Sequence, residues 1–178
     1  MRRLVTALAV AIGTASGVAG YEHARSDVAG WREIAWPFPR DGWPAGRAYR
    51  CAAASCGDDI EVYLRPKIGF CNCDSGVADD DEVDRVADLD LISERFVPLA
   101  PGQAVRIAGM PGRSRSYDLR MSDGSRHGAV GFAVSHRCDL LVAVAQGKGA
   151  ASGVQRAALA FLASGEMTHW MTVAMDGR

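Results

Sequence analysis

The chain has 178 residues, with 20 Lys and Arg against 21 Asp and Glu and a formal net charge of −1. That balance gives no basic footprint of the kind nucleic-acid binding needs, so that class of partner is excluded. The length fits one domain with one hydrophobic core and leaves no room for a second.

The first twenty residues, MRRLVTALAVAIGTASGVAG, join a basic start at Arg2 and Arg3 to an apolar run, Leu4–Ile12, and then to small residues. This is the layout of a secretory signal over 1–20. The apolar run is shorter than a bilayer-spanning helix requires, which favours cleavage near Tyr21 over an uncleaved anchor. The Arg pair lacks a fuller twin-arginine context, so ordinary secretion is the simpler route. Loss of 1–20 removes two Arg and no acid, moving the charge from −1 to −3. The reading places the mature chain in a periplasm or outside the cell, with no membrane span of its own.

Residues 21–50 interleave Trp31, Trp36 and Trp43 with Pro37, Pro39 and Pro44 and show no sustained period. They read as an extended Trp/Pro-rich arm whose rings anchor it across the core. The competing reading is an exposed aromatic binding surface formed by the same three Trp. The remaining residues, 51–178, read as one α+β domain. Within it IEVYLRPKIGF, broken by Pro66, suits two short strands or one bulged edge strand. The acidic segment from Asp79 to Asp90 suits a short helix, with Asp79 as N-cap and Val83 and Val86 on its apolar side.

Gln103–Ala108, Ser116–Met121, Ala129–Ser135 and Leu140–Ala145 read as strands separated by turn-rich segments, with Asp123 and Gly124 as the best hairpin signal. From Ser152 the period becomes helical. SGVQ matches a capping box, and Val154, Ala158, Phe161 and Leu162 share a face up to Gly165. A second helix starts at Glu166, with Met167, Trp170, Met171 and Ala174 at helical spacing. The expected architecture is a mostly antiparallel sheet of about five strands with two C-terminal helices packed on one face.

Five cysteines, Cys51, Cys56, Cys71, Cys73 and Cys138, leave an odd thiol in an exported chain, and two disulfides plus one leftover Cys is the default there. Cys71 and Cys73 lie two apart, so a direct bond between them needs a strained small ring. Cys51 and Cys56 bracket a short loop that can bring them to each other or to the 71/73 segment, and Cys138 can take one of them. The alternative is a thiol site for redox chemistry, or for copper or zinc, using Cys71 and Cys73. The C-x4-C and C-x-C spacing departs from a zinc ribbon, whereas Cu(I) tolerates C-x-C better.

Asp79, Asp81 and Asp84 are weak candidates for a hard cation, because the acidic segment does not follow an EF-hand loop. His23, His127, His136 and His169 are scattered and form no close pair. Met167, Met171 and Met175 recur every four residues, as core packing along a helix requires. Gly147, Gly149 and Gly153 imitate a dinucleotide fingerprint, but no strand with an acidic end follows the helix. No G-x-S-x-G elbow occurs, although a spatial triad can hide in a sequence. No cofactor is required by any motif. The leading expectation is therefore a non-catalytic, disulfide-stabilised accessory or binding protein of a bacterial-type envelope, with an envelope protein as partner and its oligomeric state open.

Overall fold

The computed structural model describes residues 30–39, 41–70 and 73–176. The signal segment, His23 and Cys71 lie outside the described residues. Eight strands and five helices follow in chain order among those described: β1 Trp31–Ile34, β2 Arg47–Cys51, α1 Ala53–Cys56, β3 Ile60–Lys67, α2 Asp80–Val86, α3 Leu89–Ile92, β4 Phe96–Pro98, β5 Gln103–Ile107, β6 Met110–Arg120, β7 Arg126–His136, β8 Asp139–Gly147, α4 Ala151–Leu162 and α5 Gly165–Asp176. They build one antiparallel sheet in the order β1-β2-β3-β8-β7-β6-β4, with β5 sharing the outer edge of β6. The class is α+β as expected. The sheet has eight strands rather than five, and three short helices join the two at the C-terminus.

The additional strands have identifiable causes. β1 and β2 come from the Trp/Pro-rich segment, where short pieces between prolines carry too few residues for a period. β3 is an internal strand, paired on both sides by β2 and β8. Its Pro66 sits past Leu64, the last residue that β2 pairs with, so that flank is open there, an edge-like setting that a residue without an N–H tolerates. β6 begins at Met110, inside the segment read as a turn. The real turn is Ala108–Gly109, both left-handed at φ 49° and 78°, which joins Ile107 to Met110 in a two-residue hairpin. Asp123 and Gly124 do form the β6–β7 turn, with Asp123 accepting from the Ser125 N–H and hydroxyl.

Both faces of the sheet are covered, where one was expected. On the first face, Ile60, Val62, Leu64, Val130, Phe132 and Val134 pack against α4 and α5. The inward sides of those helices are Val154, Ala158, Phe161 and Leu162, then Met167, Met171 and Met175, the predicted periods. α4 nevertheless starts without the capping box, since Ala150 is its N-cap and Ser152 lies inside it. On the second face, Ala133, Leu140, Val142, Tyr117 and Leu119 pack against Val83 and Val86 of α2 and Leu89 of α3. Asp79 caps α2 by accepting from the Glu82 N–H at 2.9 Å, as its spacing predicts.

Tyr117 is fully buried on that second face, and its hydroxyl donates to Asp84 of α2 at 2.6 Å. Burial, and then the Asp84 carboxylate beside it, raise its pKa above the usual phenol value, so the bond is to a neutral hydroxyl at any ordinary pH. Tyr117→Phe is expected to destabilise the fold by about 1.5–3 kcal/mol, the range for hydrogen bonds to charged groups. Urea unfolding at pH 7 checks this, and an unchanged midpoint would show that Asp84 does not depend on Tyr117.

Candidate functional site

Strand alternation decides which side chains meet on the second face. Arg32 pairs with Arg50, Arg50 with Glu61, Glu61 with Gln146 and Gln146 with Ala129, so five strands present one row of residues side by side. Residues two apart share a face, which adds Tyr63 beside Glu61 and His127 beside Ala129. α2 packs against β6 and β7 toward the other end of this face. The polar row is left as an open cleft of about 410 Å³, lined by Arg32, Arg50, Asp59, Glu61, His127, Gln146 and Lys148 together with Ala52. Ala129 places only a methyl group beside Gln146.

The polar groups at its floor form one connected network. Glu61 accepts from Arg50 Nε at 2.7 Å, from the Tyr63 hydroxyl, and from Gln146 Nε2 at 2.9 Å. Burial pushes the Glu61 carboxyl up, but the bonds from Tyr63 and Arg50 outweigh it and hold the group below the usual carboxylate range. Tyr63 moves the opposite way, raised by burial and then by its bond to Glu61. Gln146 is buried, and its Oε1 meets Nδ1 of His127. Arg32 and Lys148 form no ion pair among the described residues. At the rim, the Asp123 carboxyl is lowered first by its bonds to Ser125, with smaller effects from His127 and Lys148.

A second charged cluster lies farther along the same face and has a different character. Arg65 is 1 % exposed, and its guanidinium bonds Asp88 at 2.7 and 2.9 Å and Asp41 at 2.8 and 2.5 Å. Lys67, also buried, reaches Asp88 at 2.6 Å and the Val86 carbonyl at 2.9 Å. Trp36 lies against the Arg65 guanidinium and Trp43 against the Lys67 ammonium. Two cations and two carboxylates satisfy each other, so the cluster fastens the 36–43 segment and α3 to β3 and keeps no charge for a ligand. The Arg65 bond holds the Asp41 carboxyl down at about 2.

The sequence-derived candidates fall as follows. Cys51 is bonded to Cys56, and Cys73 to Cys138 in the β7–β8 turn. Cys73 is therefore not one half of a free dithiol with Cys71. Trp31 is buried and stacked on Phe161 at 4.5 Å, Trp36 packs edge-on to Phe38 and Tyr63, and Trp43 packs edge-on to Phe70. These three rings do not come together as one surface.

Asp79 serves as N-cap, and Asp84 takes Tyr117 and Arg115. Among the described residues no three His, Cys, Asp or Glu side chains are set to hold a metal. Gly147 and Gly149 are close-approach positions for Asp58, whose Oδ2 accepts the Gly149 N–H at 2.5 Å and would crowd a Cβ on Gly147. A second cavity, about 440 Å³, lies over the first disulfide between Trp31, Phe161 and α4, with Arg156 as its one charged residue.

The cleft residues were missed because they are scattered from the first strand to the last. A signal was nonetheless present in strand parity. Glu61 stands between Ile60 and Val62, and Gln146 ends LLVAVA, so each is a polar side chain at a buried-strand position.

No protein-family model matches the chain, and no curated protein matches it. Three solved structures resemble it at low identity. LpqN, involved in cell envelope biogenesis of Mycobacterium tuberculosis, is 12% identical over 72% of this chain and 73% of its own, with a TM-score of 0.44. The protein of unknown function PA94 from Pseudomonas aeruginosa, a putative regulator, is 13% identical over 74% and 76%, with a TM-score of 0.36. The cyanobacterial PsbP, CyanoP, from Synechocystis sp. PCC 6803 is 13% identical over 75% and 79%, with a TM-score of 0.42.

Proposed function

We propose that this chain is an exported, disulfide-braced accessory protein of the bacterial envelope that binds a ligand without transforming it, and that the polar cleft is its binding surface. Two disulfides support the oxidising compartment, since such bonds persist there and are rare in the cytosol. The basic, apolar and small-residue order of 1–20 supports the same address.

The cleft is the observation that carries the binding reading. Hydrophobic residues could fill this stretch of sheet face, so a core does not require a carboxylate, an amide and an imidazole in one row there. Convergent polar groups over a rigid floor are what a binding site needs. The floor is rigid because β3 and β8 each pair on both sides and the opposite face is packed under α4.

The test is an NMR titration of the mature, oxidised protein with a small-molecule extract of the envelope. Amide shifts confined to Arg32, Arg50, Gln146, Lys148 and their neighbours are expected. Shifts confined to the groove over the first disulfide, or none at all, would overturn the reading.

The two charged clusters predict acid sensitivity. Asp41 and Glu61 both have folded pKa values below their ordinary ones. Such groups contribute stability that is complete above the unfolded carboxylate value and is lost as pH falls through the folded value. Stability is therefore expected to hold from neutrality down to about pH 4 and to decline between there and about pH 2, where Asp41 takes up its proton. Denaturant midpoints measured across that range check the sign. A midpoint that rises on acidification would contradict it.

A further inference from the structure

The geometry points to a specific ligand class for the cleft: a small hydroxylated carboxylate, bound through its charge by Arg32 and Lys148 and through a hydroxyl by Nε2 of His127. The inference rests on the reading of the cleft as the ligand surface and adds what that ligand must carry.

The hydroxyl requirement follows from a chain of hydrogen-bond polarity. An ionised carboxylate only accepts, so the group that Gln146 turns toward Glu61 is its amide Nε2, at 2.9 Å. That fixes Gln146 Oε1 toward His127, and a carbonyl oxygen also only accepts. Nδ1 of His127 must then carry a proton, and in the neutral imidazole Nε2 is left with a lone pair. Nε2 has no partner among the described residues. Glu61 and Gln146 are thus positioning residues, acting on the ligand through the tautomer of His127. A lone pair in a cleft selects a donor, and a hydroxyl is the donor that a small anion brings without adding positive charge.

The charge requirement follows from the lining. Arg32, Arg50 and Lys148 stand against Asp59 and Glu61, leaving one positive charge. Arg50 is tied to Glu61, and Asp59 accepts the Ala53 N–H at 3.1 Å, so the surplus resides on Arg32 and Lys148. A single surplus charge is matched by a monoanion, hence a carboxylate rather than a dianionic phosphate ester. Neither cation is in an ion pair with a described residue, although Lys148 stands near enough to Asp123 to lower its carboxyl. Arg32 is set by the β1–β2 register, and Lys148 follows directly on Gly147, the last residue of β8.

The experiment uses the mature protein with both disulfides intact and three probes: D-galacturonate, which has charge and hydroxyls, methyl galactoside, which lacks the charge, and acetate, which lacks the hydroxyls. Galacturonate is expected to bind at least about tenfold more tightly than either control, the gain of one further good contact. Arg32→Ala with Lys148→Ala should reduce it to the level of methyl galactoside, and His127→Phe to that of acetate.

Long-range nitrogen NMR of the free protein should find the proton of His127 on Nδ1. Gln146→Leu should mix the tautomers while the fold is retained, an effect a merely structural glutamine would not have. A proton on Nε2 in the wild-type protein, or galacturonate binding no better than acetate, would overturn the inference. If the envelope extract moves the cleft amides and galacturonate does not, the ligand class falls and the binding reading stands. If neither moves them, both fall.

Discussion

Replacing Arg65 by Met is expected to lower the unfolding free energy by about 3–5 kcal/mol at pH 7, the range for removing one partner of a buried ion pair. The cost arises from what is left behind rather than from the lost side chain. Arg65 is nearly inaccessible and gives four hydrogen bonds to two carboxylates, while Met fills most of its volume. Asp88 would retain Lys67, at 2.6 Å, but Asp41 would lose the guanidinium that holds it down.

Two accompanying effects identify the cause. The Asp41 titration should move up from about 2 toward its ordinary value of 3.8, and the Trp36 environment should change because the guanidinium lies 5.6 Å from its ring. A loss under about 1 kcal/mol for Arg65→Met, the size expected of an exposed pair, would show that the cluster does not fasten the segment.

The second large effect concerns the disulfides, which are not equivalent. Cys73 and Cys138 are 65 residues apart in sequence, Cys51 and Cys56 only 5. In the chain-entropy account, the longer loop restrains the unfolded state by about 4 kcal/mol and the shorter by about 2 kcal/mol. Cys73→Ala with Cys138→Ala should therefore destabilise the protein about twice as much as Cys51→Ala with Cys56→Ala, judged by denaturant midpoints without reductant. The long bridge also ties the segment after β3 to the β7–β8 turn, the point where β3 and β8 run on beyond β2. Equal losses would mean that native packing around Cys51, which is fully buried, outweighs loop entropy.

What the sequence disclosed depended on how many residues repeated a pattern. α4 and α5 offer three turns each, so Val154, Ala158, Phe161 and the three methionines announced their faces. β7 and β8 are long central strands and were legible as apolar runs. β1 and β4 have four and three residues, below the length at which alternation means anything, and β2, RAYRC, has Arg at its first and fourth positions. The β5–β6 hairpin was hidden because its turn is Ala-Gly, where Ala108 takes a left-handed conformation that sequence would assign to Asn or Asp. Helices on both faces follow from the acidic segment: its capping was legible, but nothing local says which face of the sheet Val83 and Val86 seek.

The site was harder still. Long-range register brings Arg32, Glu61 and Gln146 together, and register is set by the whole sheet. Asp79, Asp81 and Asp84 drew attention through local density, which here reflects a capped helix and its partners, Asp79 holding Glu82 and Asp84 holding Tyr117 and Arg115.

The account is tested most directly by peptide mapping of the natural protein, recovered from the envelope fraction with free thiols alkylated at lysis and no reductant added. It predicts a chain starting near Tyr21, linked peptides carrying Cys51 with Cys56 and Cys73 with Cys138, and one alkylated cysteine, Cys71. A chain that begins at Met1 in the cytosolic fraction, with all five cysteines alkylated, would contradict it.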